Sequence, residues 1–136
     1  MREIVTAVEM KELDHNTIQK AGISSPVLME RAALKTVEEI VQRLKNKEKE
    51  KILVVCGTGN NGGDALAVSR LLAERGCRVE VYLFNTKGTL SPDCETNKER
   101  LAGVAGIDFH EITTQFVPPV LTAEHVVVDG LFGSGL

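Results

Sequence analysis

The most constraining feature of the sequence is an apolar run that leads directly into a glycine- and asparagine-rich segment and then into a helical pattern. Ile52–Cys56 is apolar throughout, Gly57–Asp64 contains four glycines and two asparagines, and a helix is predicted from Asp64 to Arg75. A short run without polar alternation is typical of a strand that is buried on both faces of a parallel sheet. Because parallel strands need long crossover connections, usually helical, this unit predicts the α/β class.

Further helices are predicted before the apolar run. One extends from the capping-box pattern Thr6–Glu9 to Gly22, and the next from the Ser25–Pro26 pair to Leu44. The charged run at 45–51 follows the second helix. It is expected to be a solvated helix end rather than an interaction tail.

Strands and helices continue to alternate after the glycine-rich segment. Strands are predicted at Val79–Phe84, near Phe109 and at His125–Asp129, with a helix from the Ser91–Pro92 pair to Ala105. We therefore predict a doubly wound, Rossmann-like three-layer α/β/α fold with a mostly parallel sheet. The whole chain, 1–136, is expected to form the N-terminal portion of one such domain. Its sheet is expected to stop with an open edge at the last of these strands.

The composition excludes several classes of protein. The 136 residues are 43% hydrophobic and 26% charged, as in an ordinary globular domain. A net charge of −3, with 4% aromatic residues and no Trp, argues against general nucleic-acid binding. No apolar run approaches the roughly 20 residues that cross a bilayer, and the N-terminus lacks the apolar core of a signal peptide. Three cysteines without CxxC spacing indicate neither a disulfide framework nor a zinc knuckle, so a reducing, cytoplasmic setting is expected.

Ligands of open α/β sheets bind beyond the carboxyl ends of the strands, where two segments are predicted to lie. These are Gly57–Asp64 and Asp129 with Gly130–Leu136. The first formally matches G-x-G-x-x-G, but the next strand ends at Phe84–Thr86 without the acid of a ribose-binding fingerprint. No Gly-Lys-Ser/Thr of a P-loop follows either. The glycines are expected to allow positive φ angles and the close approach of a ligand to the backbone, and the helix start is suited to phosphate.

Two acidic residues in these segments have candidate roles. For Asp64, two interpretations stay open, a partner of the helix dipole or a ligand contact. Asp129 follows a Val-Val-Val run, where an unpaired charge is costly, so a cation or a strong hydrogen-bond donor is expected beside it. The histidines match no metal spacing and are expected to have surface or packing roles; they are His15, His110 and His125.

Three segments resemble the YjeF N-terminal domain family. They are Leu28–Ala33, Val54–Asp64 and Val127–Leu136, in the family's order, and the likeness includes the Asn97 region. The family comprises NAD(P)H-hydrate epimerases, which interconvert the R and S forms of hydrated NADH and NADPH so that a dehydratase can restore the cofactor. In many bacteria the domain is fused to an ADP- or ATP-dependent dehydratase.

The resemblance implies a set of binding residues. Those expected to line the hydrated dinucleotide are Asn60, Asn61, Gly62, Gly63, Asp64, Gly133, Ser134, Gly135 and Leu136. The resemblance also implies that Asn61 and Asp129 help to hold a potassium ion (K+). Their donor chemistry agrees with this, since amide and carboxylate oxygens suit an alkali cation rather than zinc. No catalytic acid or base is assigned.

The sequence departs from the family pattern in two places. Ala65 stands where the family usually has glycine, which leaves open whether its methyl group crowds the substrate. The family domain continues past the position of Leu136 with segments that complete the ion and substrate sites. These 136 residues alone are therefore expected to be inactive.

Two alternatives to the epimerase remain. One is a non-catalytic nucleotide-binding or dimerisation module of the same fold, and the other is a kinase, if a further C-terminal domain determines the activity. The presence of both Asn61 and Asp129 favours the epimerase, because a module needs no ion site. A homodimer is also expected, since Val27, Leu28 and Val41 could leave apolar surface uncovered.

Overall fold

The computed structural model describes residues 2–5, 25–46 and 49–131. Along these residues the elements are β1 (Arg2–Val5), α1 (Ser25–Arg43), β2 (Lys51–Cys56), α2 (Asn60–Glu74), β3 (Arg78–Phe84), α3 (Pro92–Leu101), β4 (Ile107–Ile112) and β5 (His125–Gly130). The helix predicted from Thr6 to Gly22 lies outside the described residues.

The strands form one sheet in the order β1-β5-β2-β3-β4, and every pairing is parallel. β2 is central, and its Val54 pairs with Val81 of β3 on one side and with Val128 of β5 on the other. The chain passes from β2 to β3 and from β3 to β4 through one helix each time. The predicted Rossmann-like α/β fold with a parallel sheet is thus confirmed.

The strand that carries Asp129 is internal to the sheet. Val126 of β5 pairs with Ile52 of β2 on one side and with Arg2 of β1 on the other. The prediction of an open edge at this strand is therefore wrong, because β1 covers it. β1 was not expected from the sequence, since four residues with two charges carry little strand signal without the neighbouring strand.

One face of the sheet and the inner side of α2 form the hydrophobic core. α2 packs across β2, β3 and β5 and is flanked by α1 and α3, so the described helices form one of the two predicted helical layers. The strands contribute to this core the buried side chains of Ile52, Val54, Cys56, Val79, Val81, Leu83, Val126 and Val128. Complete burial of a Val, Ile or Leu side chain stabilises a fold by roughly 1.5–3 kcal/mol.

The start of α3 agrees with the prediction and its end does not. Ser91 is the N-cap residue, and Pro92 occupies the first turn. The helix ends at Leu101 rather than near Ala105. Gly103 follows with a φ of +80°, a left-handed conformation that commonly ends a helix.

The charged run after α1 is a loop and not an extension of the helix. α1 ends at Arg43, and the carboxylate of Glu50 accepts hydrogen bonds from the backbone N–H groups of Lys45 and Asn46. Lys45, Asn46, Lys49 and Lys51 are exposed, as expected, whereas Glu50 is buried by its contacts with this loop.

Of the three residues expected to leave apolar surface on the first helices, Val27 is the most exposed, at 44%. Leu28 is buried in the structure, and Val41 packs against the core. The surface on which the homodimer prediction rests is therefore smaller than expected.

Within the described part of the chain, no helix is long and apolar enough to cross a membrane.

Candidate functional site

The turn between β2 and α2 is shorter than the sequence predicts. It consists of Gly57, Thr58 and Gly59, and α2 begins at Asn60 rather than at Asp64. Gly59 is the N-cap residue, with an extended backbone (φ −90°, ψ −164°) and no side-chain capping bond. The residues Asn60–Gly63 therefore form the first helical turn.

Gly57, Gly62 and Gly63 of this segment are needed for space, Gly59 is not, and none of the four has a positive φ. Among the described residues, positive φ angles occur at glycines outside the segment, the nearest in sequence being Gly76. A Cβ atom on Gly62 would lie 1.8 Å from the carbonyl oxygen of Gly57, and one on Gly63 would lie 3.1 Å from the backbone nitrogen of Cys94. The expected positive φ is therefore wrong for this segment. The close approach seen here is between backbone segments of the chain, and the approach of a ligand to the backbone stays a prediction.

The start of α3 meets the same turn. The backbone N–H of Ser91 donates a hydrogen bond of 2.8 Å to the carbonyl oxygen of Thr58, while the Ser91 hydroxyl accepts one from the N–H of Cys94. The Cys94 thiol lies 3.8 Å from the carbonyl oxygen of Gly57. Because the N-terminus of α2 carries a partial positive charge and no acid in its first turn, its electrostatic field favours an anion at the turn. The first turn of α3 already contains the acids Asp93 and Glu95.

The end of β5 completes this group of contacts. The N–H of Gly57 donates a hydrogen bond of 3.0 Å to the carbonyl oxygen of Gly130, which extends the β2–β5 ladder by one residue. A Cβ atom on Gly57 would lie 2.2 Å from the carbonyl oxygen of Leu131. The structure thus brings together the two segments that the sequence predicts at this edge. The stretch Gly133–Leu136 lies outside the described residues.

Asn61 and Asp129 both lie at this edge of the sheet. Asn61 is buried. Its backbone carbonyl oxygen is 3.2 Å from the position that a Cβ atom would occupy on Gly130, the residue after Asp129. Asp129 is half-buried and pairs with Val55, and its Oδ1 accepts a hydrogen bond of 3.0 Å from the N–H of Leu131. The expected strong donor beside Asp129 is therefore this backbone N–H group.

The remaining predicted residues of the first segment differ in exposure. Asn60 is exposed at the first position of α2, whereas Gly62 and Gly63 are buried. Asp64 is half-buried at the fifth position of the helix, one turn further from the N-terminus than a first-turn acid. This position weakens the interpretation of Asp64 as a simple partner of the helix dipole.

A polar network lies at the ends of β3 and β4, next to this edge. Lys98 of α3 contacts Glu111 with Nζ 2.7 Å from Oε1, and Asn85 donates from Nδ2 to Oε2 of the same carboxylate at 2.9 Å. The hydrogen bonds from Lys98 and Asn85 lower the pKa of Glu111, and the bond to Glu111 raises the pKa of Lys98. Within the described residues, the solvent-shielded Oδ1 of Asn85 has no hydrogen-bond partner.

The sequence did not indicate that Asp93 and Cys94 border the site. The only relevant signal was the Ser91–Pro92 pair, which fixes where α3 begins. The contact of these residues with Gly63 depends on the packing of α3 against α2 and could not be derived from spacing along the chain.

A groove elsewhere on the helical layer has a volume of about 580 Å³. It is lined by Val27, Glu30, Arg31, Arg70 and Arg100. Glu30 links two of these arginines, with Oε1 2.5 Å from a guanidinium nitrogen of Arg70 and Oε2 3.9 Å from one of Arg100. The predicted site residues that the structure describes do not line this groove.

Comparison with known proteins gives relatives that match nearly the whole chain. This chain is 40% identical over 136 residues to the NAD(P)H-hydrate epimerase of Lentilactobacillus buchneri (strain NRRL B-30929), with 100% of this chain and 60% of that protein covered. It is 38% identical to the Bifunctional NAD(P)H-hydrate repair enzyme Nnr of Moorella thermoacetica (strain ATCC 39073 / JCM 9320), with 97% of this chain and 26% of that protein covered. The chain thus spans less than two thirds of the length of these relatives.

The fold has a solved counterpart, and the family is shown by the sequence. The crystal structure of yeast ynu0, YNL200c, superposes with a TM-score of 0.61 at 20% identity, covering 96% of this chain and 56% of that one. The profile of the family described as "YjeF-related protein N-terminus" matches residues 25–136, which are most of the chain. The chain therefore belongs to the YjeF-related N-terminal family.

Proposed function

We propose that this chain forms the substrate-binding part of an NAD(P)H-hydrate epimerase, an isomerase that interconverts the R and S forms of hydrated NADH and NADPH. The observation that carries the proposal is the meeting of two helix N-termini and the end of β5 at the Gly57–Gly59 turn. The names of the relatives, which include NAD(P)H-hydrate epimerase and a bifunctional repair enzyme, support this assignment.

In this proposal the pyrophosphate of the dinucleotide binds at the start of α2. Backbone N–H groups in the first turn of a helix have no carbonyl partner within that helix, and they favour an anion together with the helix dipole. Gly62 and Gly63 keep the turn compact, and the exposed Asn60 is available to a ligand. Asp64 would contact the substrate beyond the phosphates, and Gly133–Leu136 would form the second wall.

We also propose a potassium ion held by Asn61 and Asp129. The donor chemistry fits, because amide and carboxylate oxygens are hard ligands. The two residues lie at the same edge of the sheet, where the Asn61 backbone approaches Gly130. Asp129 Oδ1 accepts one backbone hydrogen bond, and a carboxylate can accept several. The ion would supply a fixed positive charge beside the substrate phosphates.

The role of these residues in the reaction is to bind and orient the dinucleotide. Epimerisation inverts the ring carbon that carries the added water, so the nicotinamide must be held in a fixed position relative to the phosphates. The turn and the starts of α2 and α3 are in close contact with one another and can provide that fixed position. None of the described residues is assigned as the catalytic acid or base.

The proposed function is tested with two proteins. One is the chain alone, and the other is a chimera in which this chain replaces the matching part of the Lentilactobacillus buchneri protein. Calorimetry of the chain with NADH should show weak binding that potassium does not change. The chimera should equilibrate separated R and S hydrates of NADH, followed by chiral chromatography. Asn61→Ala and Asp129→Ala in the chimera should each slow equilibration and reduce its response to potassium, and Glu39→Ala on the exposed side of α1 should not.

A chimera that binds NADH but does not equilibrate the hydrates would favour a non-catalytic nucleotide-binding module. An unchanged potassium response in both Asn61→Ala and Asp129→Ala would contradict the ion site and leave the epimerase proposal standing. A chimera that is active although the chain alone does not bind NADH would show that the turn binds the dinucleotide only when the rest of the domain is present.

Three further parts of the proposal concern the protein's setting. We propose a cytoplasmic location, because Cys56, Cys77 and Cys94 are all free thiols. We propose that the epimerase acts beside a dehydratase, as the resemblance to the YjeF N-terminal domain family implies, and the Moorella relative is named a bifunctional repair enzyme. We propose a homodimer through exposed apolar residues such as Val27 and Val120, and light scattering at high micromolar concentration should give twice the monomer mass.

A further inference from the structure

Three side chains of the types that bind metals lie together on the sheet face opposite to the core. Glu80 of β3 is in register with Asp108 of β4, and His110 is two residues further along β4. Their ligand atoms all lie within 4.8 Å of one another. The Nε2 atom of His110 is 3.3 Å from Oδ1 of Asp108 and 4.0 Å from Oε1 of Glu80.

The orientation of these groups is fixed by Tyr82, which pairs in register with His110. The two rings stack with a centroid separation of 4.7 Å and an interplanar angle of 15°. The hydroxyl of Tyr82 donates a hydrogen bond to Oε1 of Glu80, and the ring of Phe116 packs edge-on against Tyr82.

The imidazole has an unused ligand atom in this arrangement. Nε2 of His110 is shielded from solvent, yet it forms no well-directed hydrogen bond within the described part of the chain. A nitrogen that is shielded from solvent and makes no hydrogen bond costs free energy, unless another kind of partner contacts it. Asp108 is 71% exposed at its side chain, which leaves an open path to the cluster.

We infer that Glu80, Asp108 and His110 form a binding site for a divalent transition-metal ion of the zinc class. Zinc binds nitrogen and carboxylate oxygen at about 2.0–2.2 Å in tetrahedral sites, which places neighbouring donor atoms roughly 3.3–3.6 Å apart. The distance from His110 to Asp108 falls in this range, and a small rotation of the Glu80 carboxylate would bring the other distance into it. The hydrogen bond from Tyr82 to Glu80 is the kind of outer contact that orients a metal-binding carboxylate.

Three protein ligands leave a fourth position for water. Because the ligands come from two strands, the ion would hold the edge strand β4 to β3 and stabilise the sheet at that edge. The sequence signal for this site is the alternation Asp108-x-His110, which puts both side chains on one face of a strand. The partner Glu80 comes from another strand, 28 residues earlier along the chain, so histidine spacing alone gave no indication of it.

The chain contains a built-in reporter for the test. Tyr82 is the single tyrosine and there is no tryptophan, so the intrinsic fluorescence of the protein reports on the residue that contacts His110 and Glu80. Titration of the tag-free chain with Zn²⁺ should show one equivalent bound by calorimetry and a saturable change in tyrosine emission. Co²⁺ should bind at the same site and show the visible absorption of a tetrahedral ion. A thermal scan should show a higher Tm with Zn²⁺.

Asp108→Asn is the decisive variant, because the exposed side chain can be changed without disturbing the core. We expect it to weaken Zn²⁺ binding by about tenfold or more, and His110→Ala to weaken it at least as much. Glu39→Gln, which removes an exposed acid from α1, should bind Zn²⁺ like the parent chain. If His110→Ala fails to fold, the Zn²⁺ affinity of Asp108→Asn and the Tyr82 emission of the parent chain still test whether the ion binds at this site.

Two results would overturn the inference. One is the absence of stoichiometric Zn²⁺ binding, which would mean that His110 serves only as an ion-pair partner of the two carboxylates. The other is Zn²⁺ binding that neither changes Tyr82 emission nor weakens in Asp108→Asn, which would place the ion elsewhere. The three cysteines are buried and are not accessible competitors in the folded chain.

Discussion

Ala65 of α2 fills the space that Gly130 of β5 leaves open. Ala65 is completely buried, and a Cβ atom built on Gly130 would lie 2.5 Å from the Ala65 methyl group. The methyl group therefore packs against the backbone of Gly130 at the carboxyl edge of the sheet. This contact favours a packing role for Ala65 over crowding of the substrate.

The contact predicts a measurable coupling between the two positions. Gly130→Ala should lower the free energy of unfolding by about 1–3 kcal/mol, because overpacking a rigid core forces backbone shifts. The double variant Ala65→Gly with Gly130→Ala should recover a large part of that loss. Denaturant unfolding of the four proteins of this cycle gives the coupling energy, and a value near zero would show that α2 and β5 are less closely packed than the structure indicates.

The two glycines at the start of α2 should respond differently to alanine. A Cβ atom on Gly62 would overlap the carbonyl oxygen of Gly57 at 1.8 Å, whereas one on Gly59 would meet nothing within 4 Å. We expect Gly62→Ala to lower the free energy of unfolding by roughly 3 kcal/mol or more and to abolish NADH binding. Gly59→Ala is the matched control and should cost less than about 1 kcal/mol, since its φ of −90° suits alanine. Equal stability of the two variants by denaturant unfolding would rule out the tight turn.

The Glu111 carboxylate should make stability depend on pH. Its pKa is lower in the folded state than the ordinary 4.5, because Lys98 and Asn85 donate hydrogen bonds to it. The stabilisation is therefore present above the unfolded pKa and is lost as the pH falls through the lower folded value. Glu111→Gln should lower the free energy of unfolding by about 1 kcal/mol at neutral pH, and the difference should shrink as the pH falls below about 4.5.

Urea titrations of both proteins at several pH values measure this effect. Glu99→Gln on the exposed side of α3 removes an acid outside the network and should show no comparable dependence on pH. A difference between parent and Glu111→Gln that stays constant down to pH 3 would contradict a folded pKa below the ordinary value.

The thiols should be protected in the native chain. Burial raises the pKa of Cys56 well above its usual range, and burial together with Glu95 raises the pKa of Cys94 to about 11. Because the thiolate is the reactive form, iodoacetamide at pH 8 should modify the native protein at least about a hundredfold more slowly than the unfolded one. NADH should slow modification of Cys94, which contacts the turn, more than that of Cys77. Mass spectrometry assigns the sites, and fast native labelling of Cys94 would mean that the start of α3 opens readily.

Local sequence was enough to predict the order and type of most described elements. The apolar run at Ile52–Cys56 predicted the central strand, and the Ser91–Pro92 pair predicted the start of α3, because both signals arise from neighbours along the chain. Likewise, the glycine and asparagine content of Gly57–Asp64 identified the segment at the carboxyl edge of the sheet. Hydrophobic periodicity and capping are short-range properties, so they can be read without knowing the tertiary structure.

Other features were decided only by the tertiary structure, because they depend on residues that are distant in sequence. Arg2–Val5 becomes a strand only because it pairs with β5, and that pairing makes β5 internal. Gly62 and Ala65 have the sizes that the carbonyl of Gly57 and the backbone of Gly130 permit, and those contacts exist only after α2 packs on the sheet. The grouping of Glu80 with His110 likewise requires the register of β3 against β4. The sequence determined which residues were available for the site, and long-range packing and strand register determined which of them meet.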